Sequence, residues 1–326
     1  IELIKAYGVE IRLNSPVGKD ALSLQGLKDQ GYAAIFVAAG AQKNMPLDIQ
    51  TGDIAGLVDG VSWLKDFNLG KQVKTGKKVA VIGGGNVAID AARTALRLGA
   101  EEVSIVYRRS REEMPAINDE IVEAEKEGVK IHYLAVPAKL VGKAGVCEGL
   151  ECLKTELGEP DESGRRRPVT VAGSEFVLDT DIVISAIGQS ADLSFLEGTG
   201  IEVKRGNTII ADPCSMATNV KGVFAGGDVV SGPATVIEAM AAGRKGALAI
   251  DAFLSGKELE IMPEPYVIEY ETIDLDLFKK TTRQEMPLLP VGERLKGFAE
   301  VDLGFDELQA LRESDRCFQC GMFPKK

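Results

Sequence analysis

The chain has 326 residues, 45% of them hydrophobic, with a formal net charge of -11 and a pI near 4.9. That length suggests about two domains with cores of ordinary size, the acidity argues against a nucleic-acid surface, and no apolar run reaches the ~18 residues of a membrane-spanning helix. The 36 glycines exceed the usual share of about 7% and suit a fold with many tight βα turns. With no secretory leader at its start, the chain reads as soluble and cytoplasmic.

The opening IELIKAYG reads as the end of a helix, followed by a strand at Val9 to Leu13. Such a beginning suggests the C-terminal portion of a longer protein, or one piece of a split one. A short helix is expected within Asp20 to Gln30 and a buried strand over Ala33 to Ala38, ending in Gly40. After a loop from Ala41 to Gly56, Leu57 to Phe67 suggests a helix with Trp63 in the core.

Lys77 to Arg109 is the most informative stretch. Val79 to Ile82 has the β-branched content of a buried parallel strand, and Gly83, Gly84 and Gly85 follow at once. Apolar and small residues then recur at helical spacing from Val87 to Leu98, Gly99 stops the helix, and Val103 to Tyr107 is a second strand. This βαβ unit carries G-x-G-x-x-A at Gly83, Gly85 and Ala88. Gly83 permits the tight turn, Gly85 lets a pyrophosphate approach the backbone, and Ala88 is small enough for close packing of helix on strand. Unpaired N–H groups at the helix start face the phosphates.

An NAD site places an acid at the end of the second strand to hold the ribose hydroxyls, whereas an NADP site uses arginine for the 2′-phosphate. Here the strand ends in Arg108 and Arg109, followed by Ser110 and Arg111. The planar guanidinium donates paired hydrogen bonds to phosphate, so NADP(H) is favoured. The alternative is a solvated surface cluster.

Beyond this unit, a helix around Asn118 to Glu127 and a strand at Val129 to Leu134 are expected, then an antiparallel meander from Ala138 to Leu178. Arg165, Arg166 and Arg167 read as a solvated hairpin tip, Cys147 and Cys152 as buried thiols, and His132 as a strand histidine and not a base. Asp181 to Ala186 is a further buried strand, closed by the turn Ile187-Gly188-Gln189. Gly222 to Gly256 repeats the logic of strand, glycines and helix, with Gly226-Gly227-Asp228 directly after the strand. From Lys257 the chain reads as an extended tail with a late helix at Asp306 to Asp315, ending in Arg316-Cys317-Phe318-Gln319-Cys320-Gly321. Five cysteines, odd in number and unevenly spread, do not suit a disulfide framework.

Taken together, VAVIGGGNVAIDAARTALRLGA, VYRRSREEMPA, SAIGQ and GVFAGGDVVSGPATVIEAMAAGRKGA resemble the flavoprotein family of the glutamate synthase small subunit. The resemblance implies an α/β protein of two interleaved Rossmann-like domains, the NADP domain inserted into a partial FAD domain. The expected division is 1–72 and 189–256 for the FAD segments, 73–188 for the NADP(H) domain and 257–326 for a C-terminal extension. It assigns Gly83, Gly84, Gly85, Asn86, Val87 and Ala88 to the pyrophosphate, and Arg108 and Arg109 to the 2′-phosphate. Gly40 and Gly188 fall on cofactor-facing turns, Gly227 and Asp228 on the ribityl and phosphate part of FAD, and Thr235 at the flavin ring, where a helix N-terminus would stabilise negative charge. The family's preceding segments, with iron–sulfur cysteines and the FAD domain's own glycine motif, are not in this sequence.

Cys317 and Cys320 resemble half of an iron–sulfur ligand set, to be completed by a partner or a further segment; the other reading is a pair of reduced thiols. Three functions follow. The first is an enzyme component passing electrons between NADP(H), FAD and iron–sulfur clusters, to or from an amidotransferase large subunit or a ferredoxin-like iron–sulfur protein. The second is a thioredoxin-reductase-like flavoprotein using a redox dithiol. The third is a flavin-free NADP(H)-binding module of a multisubunit complex.

Overall fold

The computed structural model describes residues 1–18, 22–161, 164–260 and 281–317. Its first part runs α1 (Glu2–Ala6), α2 (Leu24–Asp29), β1 (Ile35–Val37), β2 (Lys43–Asn44), β3 (Leu57–Asp59), α3 (Gly60–Asn68), β4 (Lys78–Ile82), α4 (Asn86–Arg97), β5 (Glu102–Tyr107), α5 (Asn118–Lys126) and β6 (Lys130–Tyr133). There follow β7 (Ala135–Lys143), β8 (Val146–Pro160), β9 (Arg166–Thr170), β10 (Phe176–Asp179), β11 (Ile182–Ser185), β12 (Gln189–Ser190), β13 (Val203–Lys204), β14 (Thr208–Ile209) and β15 (Val223–Ala225). The described chain closes with α6 (Asp228–Ser231), α7 (Val236–Ser255), α8 (Val291–Arg294) and α9 (Glu307–Ser314).

These elements form two units, each assembled from two stretches of chain. Ile1–Pro46 joins the residues from Gly188 through α7, while Leu47–Ile187 joins the described residues from 281 onward. In the second unit a parallel sheet has the order β3-β11-β4-β5-β6. Its strands are buried on both faces, which explains their nearly unbroken apolar sequences. Val79, Val81, Val103, Ile105 and Ile184 pack with Ala88, Ile89, Ala91, Ala92 and Ala95 of α4 on one side. Ala80, Ile82, Val106 and Val183 alternate with them and face the meander on the other, against Leu140, Leu150 and Cys152. That meander is the expected antiparallel sheet, β7, β9 and β10 pairing with β8.

The helix expected from Leu57 begins later, because Leu57 and Val58 pair with Val183 and Ile184, giving the parallel sheet an edge strand. Gly60 can then open α3 beside β11, where a Cβ would lie 2.7 Å from the Ser185 carbonyl oxygen. Trp63 is core as expected, 5% exposed, with its indole N–H donating to the Lys74 carbonyl at 2.7 Å. The expected strand at Val9 to Leu13 forms no ladder among the described residues, and Val9, Ile11 and Leu13 are exposed.

The described part of the C-terminal stretch lies in the second unit. Arg294 is 4% exposed; one guanidinium nitrogen pairs with Glu123 and reaches Glu127 Oε1 at 3.5 Å, while Nε donates to the Leu289 carbonyl. Glu127 is also held by Arg93 Nη2 at 2.8 Å and Arg97 Nη2 at 2.9 Å. Phe298 packs against Phe67 with ring centroids 4.7 Å apart and planes tilted by 40°. Most of the proline- and charge-rich stretch before it lies outside the described residues.

In the first unit β1 and β15 are parallel neighbours, Val37 opposite Ala225. Leu24, Val37, Ile209, Val223, Ala225 and Val229 form its core. α7 starts at a Thr235–Glu238 capping box and ends at Gly256 with φ +63°. Among the described residues, no helix is long and apolar enough to cross a membrane.

Candidate functional site

In open α/β sheets ligands bind at the carboxyl ends of the strands, beside a point where the strand order reverses. β4 is such a strand, with β5 on one side and β11 on the other. The three glycines after it do three different things. Gly83 has φ +142°, and a Cβ there would sit 2.2 Å from the Ala186 carbonyl oxygen, so only glycine lets the turn pass the end of β11. At Gly84 a Cβ would enter the Tyr107 ring at 2.4 Å. Gly85 has ordinary dihedrals, φ -91° and ψ 177°, and a Cβ would meet nothing within 4 Å. No fold requirement therefore explains Gly85, whose backbone is open to approach.

Gly85 is also the N-cap of α4 and supplies no side-chain cap. The first N–H groups of a helix need external acceptors, and the aligned peptide dipoles make that end attractive to anions. The residues fit a dinucleotide pyrophosphate. Ala88 is fully buried, Val87 half-buried. The Asn86 side chain has a different task, its Oδ1 accepting from Ile117 N–H at 2.9 Å, while Ala116 N–H donates to the Gly84 carbonyl at 3.1 Å. The chain after β5 thus folds back and clamps the glycine turn.

The two arginines at the end of β5 part company. Arg108 is exposed, and its backbone is fixed by Thr155, whose hydroxyl donates to the Arg108 carbonyl at 2.8 Å. Partial burial, then the charges of Arg109 and Arg165, lower its pKa from the ordinary arginine value, as expected of a cation among cations. Arg109 is 3% exposed and already engaged: Nε donates to the Arg166 carbonyl at 2.7 Å and Nη2 to Asp161 Oδ2 at 2.6 Å. Of the pair assigned to the 2′-phosphate, Arg108 alone is presented to solvent. The loop between them and α5 is tied by Ser110, which caps the turn Arg111–Glu113, and by Tyr107, whose hydroxyl donates to the Glu113 carbonyl at 2.6 Å.

The hairpin expected to be a solvated tip comes to the same place. Arg166 Nε donates to Glu113 Oε1 at 2.6 Å, drawing the β8–β9 connection to the end of β5. Sequence reasoning missed Asp161, Glu113 and Thr155 because no local pattern marks an ion pair made across fifty residues. The one available signal is the concentration of opposite charge in EE and DESGRRR.

In the first unit, Gly40 and Gly226 to Asp228 lie beyond the carboxyl ends of adjacent parallel strands, with Gly226 N–H donating to the Val37 carbonyl at 3.1 Å. Gly40 has φ +71° and Gly227 φ +73°, conformations that suit glycine. Gly188 has φ +141° and accepts from Met45 N–H at 3.0 Å. Asp228 Oδ1 accepts from Ala234 N–H at 3.3 Å. Thr235 does not present an open N-terminus: its N–H and hydroxyl donate to Glu238 Oε2 at 2.8 and 2.7 Å. These bonds hold the Glu238 carboxyl below the usual range, and that carboxylate already answers the helix dipole expected to face the flavin. The glycine turns fit a dinucleotide at this sheet edge; the Thr235 side chain, as placed, serves its own helix.

Cys317 is exposed and Cys320 lies outside the described residues; among those described, no group of three metal-ligating side chains gathers. Cys152 and Cys147 are buried on β8, and burial pushes the Cys152 thiol up to about 12 and raises that of Cys147. His132 stands on β6, its pKa lowered by burial and by Lys130.

The chain is similar to several known proteins. The chain is 46% identical over 331 residues to the NADP(+)-dependent formate dehydrogenase subunit beta of Moorella thermoacetica, covering 98% of this chain and 46% of the relative. It is 35% identical to the glutamate synthase [NADPH] small chain of Azospirillum brasilense, over 79% of this chain and 56% of that one. The chain thus spans about half the length of these curated relatives. In fold it resembles FprA of Mycobacterium tuberculosis solved with NADPH, with a TM-score of 0.60 at 19% identity, over 74% of this chain and 67% of that chain. Residues 3–243 match a single family, and the chain belongs to it: the pyridine nucleotide-disulphide oxidoreductases.

Proposed function

We propose that the chain is the NADP(H)- and FAD-binding part of a multisubunit oxidoreductase, exchanging electrons with iron–sulfur centres on a partner or on a further segment. The observation that carries the reading is the pairing of Gly85, kept open at the start of α4, with Arg108 at the end of the neighbouring strand. When bound, the nicotinamide and flavin supply hydride and single-electron chemistry that no side chain here can perform.

The chain's own part is binding and orientation. The first N–H groups of α4 receive the pyrophosphate and Arg108 the 2′-phosphate, and Thr155 with the Ala116–Gly84 clamp keeps those two anchors in register. Gly40, Gly188, Gly227 and Asp228 are the proposed FAD contacts, and the Cys317–Cys320 pair is the proposed link to an iron–sulfur cluster. The match to the formate dehydrogenase subunit includes the C-terminal region and covers 98% of the chain, against 79% for the glutamate synthase small chain. That favours an iron–sulfur or dehydrogenase partner over an amidotransferase large subunit.

Anaerobic titration of the natively purified protein tests the reading. NADPH is expected to bleach the visible flavin absorbance well before NADH at equal concentration, and iron analysis to find clusters. Equal efficiency of the two nucleotides would refute NADP(H) specificity. A protein without flavin after purification in excess FAD would favour the third reading, a flavin-free NADP(H) module, which the capped N-terminus of α7 keeps in play.

A further inference from the structure

Arg109 and the β8–β9 hairpin form an arrangement that the nucleotide reading leaves unused. Burying a guanidinium is costly, and pairing it with a carboxylate at best offsets that cost, so a buried ion pair is weak evidence for a stabilising device. Its stronger use is to fix one geometry among several. Arg109 fixes the hairpin twice, through the Arg166 carbonyl at 2.7 Å and Asp161 Oδ2 at 2.6 Å. The hairpin answers with a pair of the opposite sense, Arg166 Nε to Glu113 Oε1 at 2.6 Å, and Glu113 is held by the Ser110 hydroxyl.

The turn these pairs hold is closed on itself. Asp161 N–H donates to the Arg165 carbonyl at 2.8 Å and Gly164 N–H to the Asp161 carbonyl at 2.9 Å. Asp161 therefore grips Arg109 with its side chain and Arg165 with its backbone. Arg108 in turn feels the charge of Arg165.

We propose that Arg109 is a positioning residue which, through Asp161, holds the β8–β9 hairpin against the end of β5, so that Arg165 joins Arg108 as a second specificity-determining cation for the 2′-phosphate. The inference rests on the NADP(H) reading of the site. Two phosphate oxygens gripped from two elements would make recognition depend on the hairpin as well as on the βαβ unit.

The probes are 2′,5′-ADP and 5′-AMP, which differ only by the 2′-phosphate, titrated calorimetrically into the natively purified complex. Arg165→Ala is expected to weaken 2′,5′-ADP about tenfold, one charge-assisted hydrogen bond's worth, and to leave 5′-AMP unchanged. Asp161→Asn gives a test of sign. Removing a negative charge near a phosphate would tighten 2′,5′-ADP if Asp161 acted by Coulomb force alone. Loss of the Arg109 anchor instead weakens it, again with 5′-AMP unchanged. Undiminished 2′,5′-ADP binding in Arg165→Ala, or tighter binding in Asp161→Asn, overturns the inference. If the unmodified protein itself fails to prefer 2′,5′-ADP over 5′-AMP, the NADP(H) reading falls with it; if it does prefer it and Arg165→Ala prefers it to the same degree, this inference alone fails.

Discussion

Replacing Gly83 and Gly85 with alanine, one at a time, separates a glycine the fold needs from a glycine the ligand needs. At Gly83 an added methyl carbon would stand 2.2 Å from the Ala186 carbonyl oxygen, on a backbone at φ +142°. Overpacking costs about 1–3 kcal/mol and a strained positive φ about 1–3 more, so Gly83→Ala should lose about 2–6 kcal/mol of stability, enough to unfold much of the second unit. At Gly85 the methyl meets nothing within 4 Å and the dihedrals suit alanine. Lower entropy of the unfolded chain stabilises by about 0.4–1 kcal/mol, while alanine's poorer N-cap costs about as much, so the net change should lie within about 1 kcal/mol. Binding should respond oppositely. A methyl between backbone and pyrophosphate removes at least one charged hydrogen bond, about 1.5–3 kcal/mol, or roughly 10- to 100-fold in Kd for NADPH. Urea unfolding and calorimetric titration on the same preparations read both quantities. Gly85→Ala with unaltered NADPH affinity, or with a stability loss like that of Gly83→Ala, would refute the division of roles.

Arg108→Ala should weaken NADPH by roughly 10-fold or more and NADH hardly at all, checked by the ratio of the two Kd values. Arg294→Met leaves Glu123 and Glu127 with their remaining partners, so the loss should be about 2–3 kcal/mol, below the ~3–5 of a wholly unpaired buried charge, and should appear as faster proteolysis of the C-terminal region. Burial alone would raise the Glu127 pKa, but hydrogen bonds from Arg93 and Arg97 outweigh it and hold the carboxyl below its usual value. A depressed folded pKa means stability that is fully present above the unfolded value of about 4.3 and is lost as pH falls through the folded value, so acid unfolding should set in below about pH 4. Native alkylation should label the exposed Cys214 and spare Cys147 and Cys152, whose thiols burial keeps protonated; mass mapping of the labelled protein decides it.

What the sequence made legible was local. The strand, turn and helix of Lys78 to Arg97 could be read because hydrophobic period, glycine placement and helix stop all fall within twenty-odd residues. The same is true of Val223 to Gly256. The α/β class followed from those two stretches. Leu57 could not be read correctly, because a three-residue edge strand is defined by its distant partner Val183 and not by its own pattern. Arg109 shows a related limit: its type suits a phosphate, and no local pattern shows that Asp161 pairs with it. Gly85 shows the converse. The motif assigned the turn to Gly83 and the approach of a pyrophosphate to Gly85, and a Cβ would clash at Gly83 and Gly84 but meet nothing within 4 Å at Gly85.

The salt bridge from Arg294 to Glu123 has a consequence for biosynthesis. A ribosome delivers the parallel sheet, the meander and α5 long before it delivers Arg294, and the whole of α7 is made in between. Until then the Glu123 side of α5 waits without its last cation, and Phe67 without Phe298. The second unit can therefore be completed only in two instalments, and a message cut short after Gly256 would yield a unit with a complete sheet and an unfinished flank, a ready target for quality-control proteases.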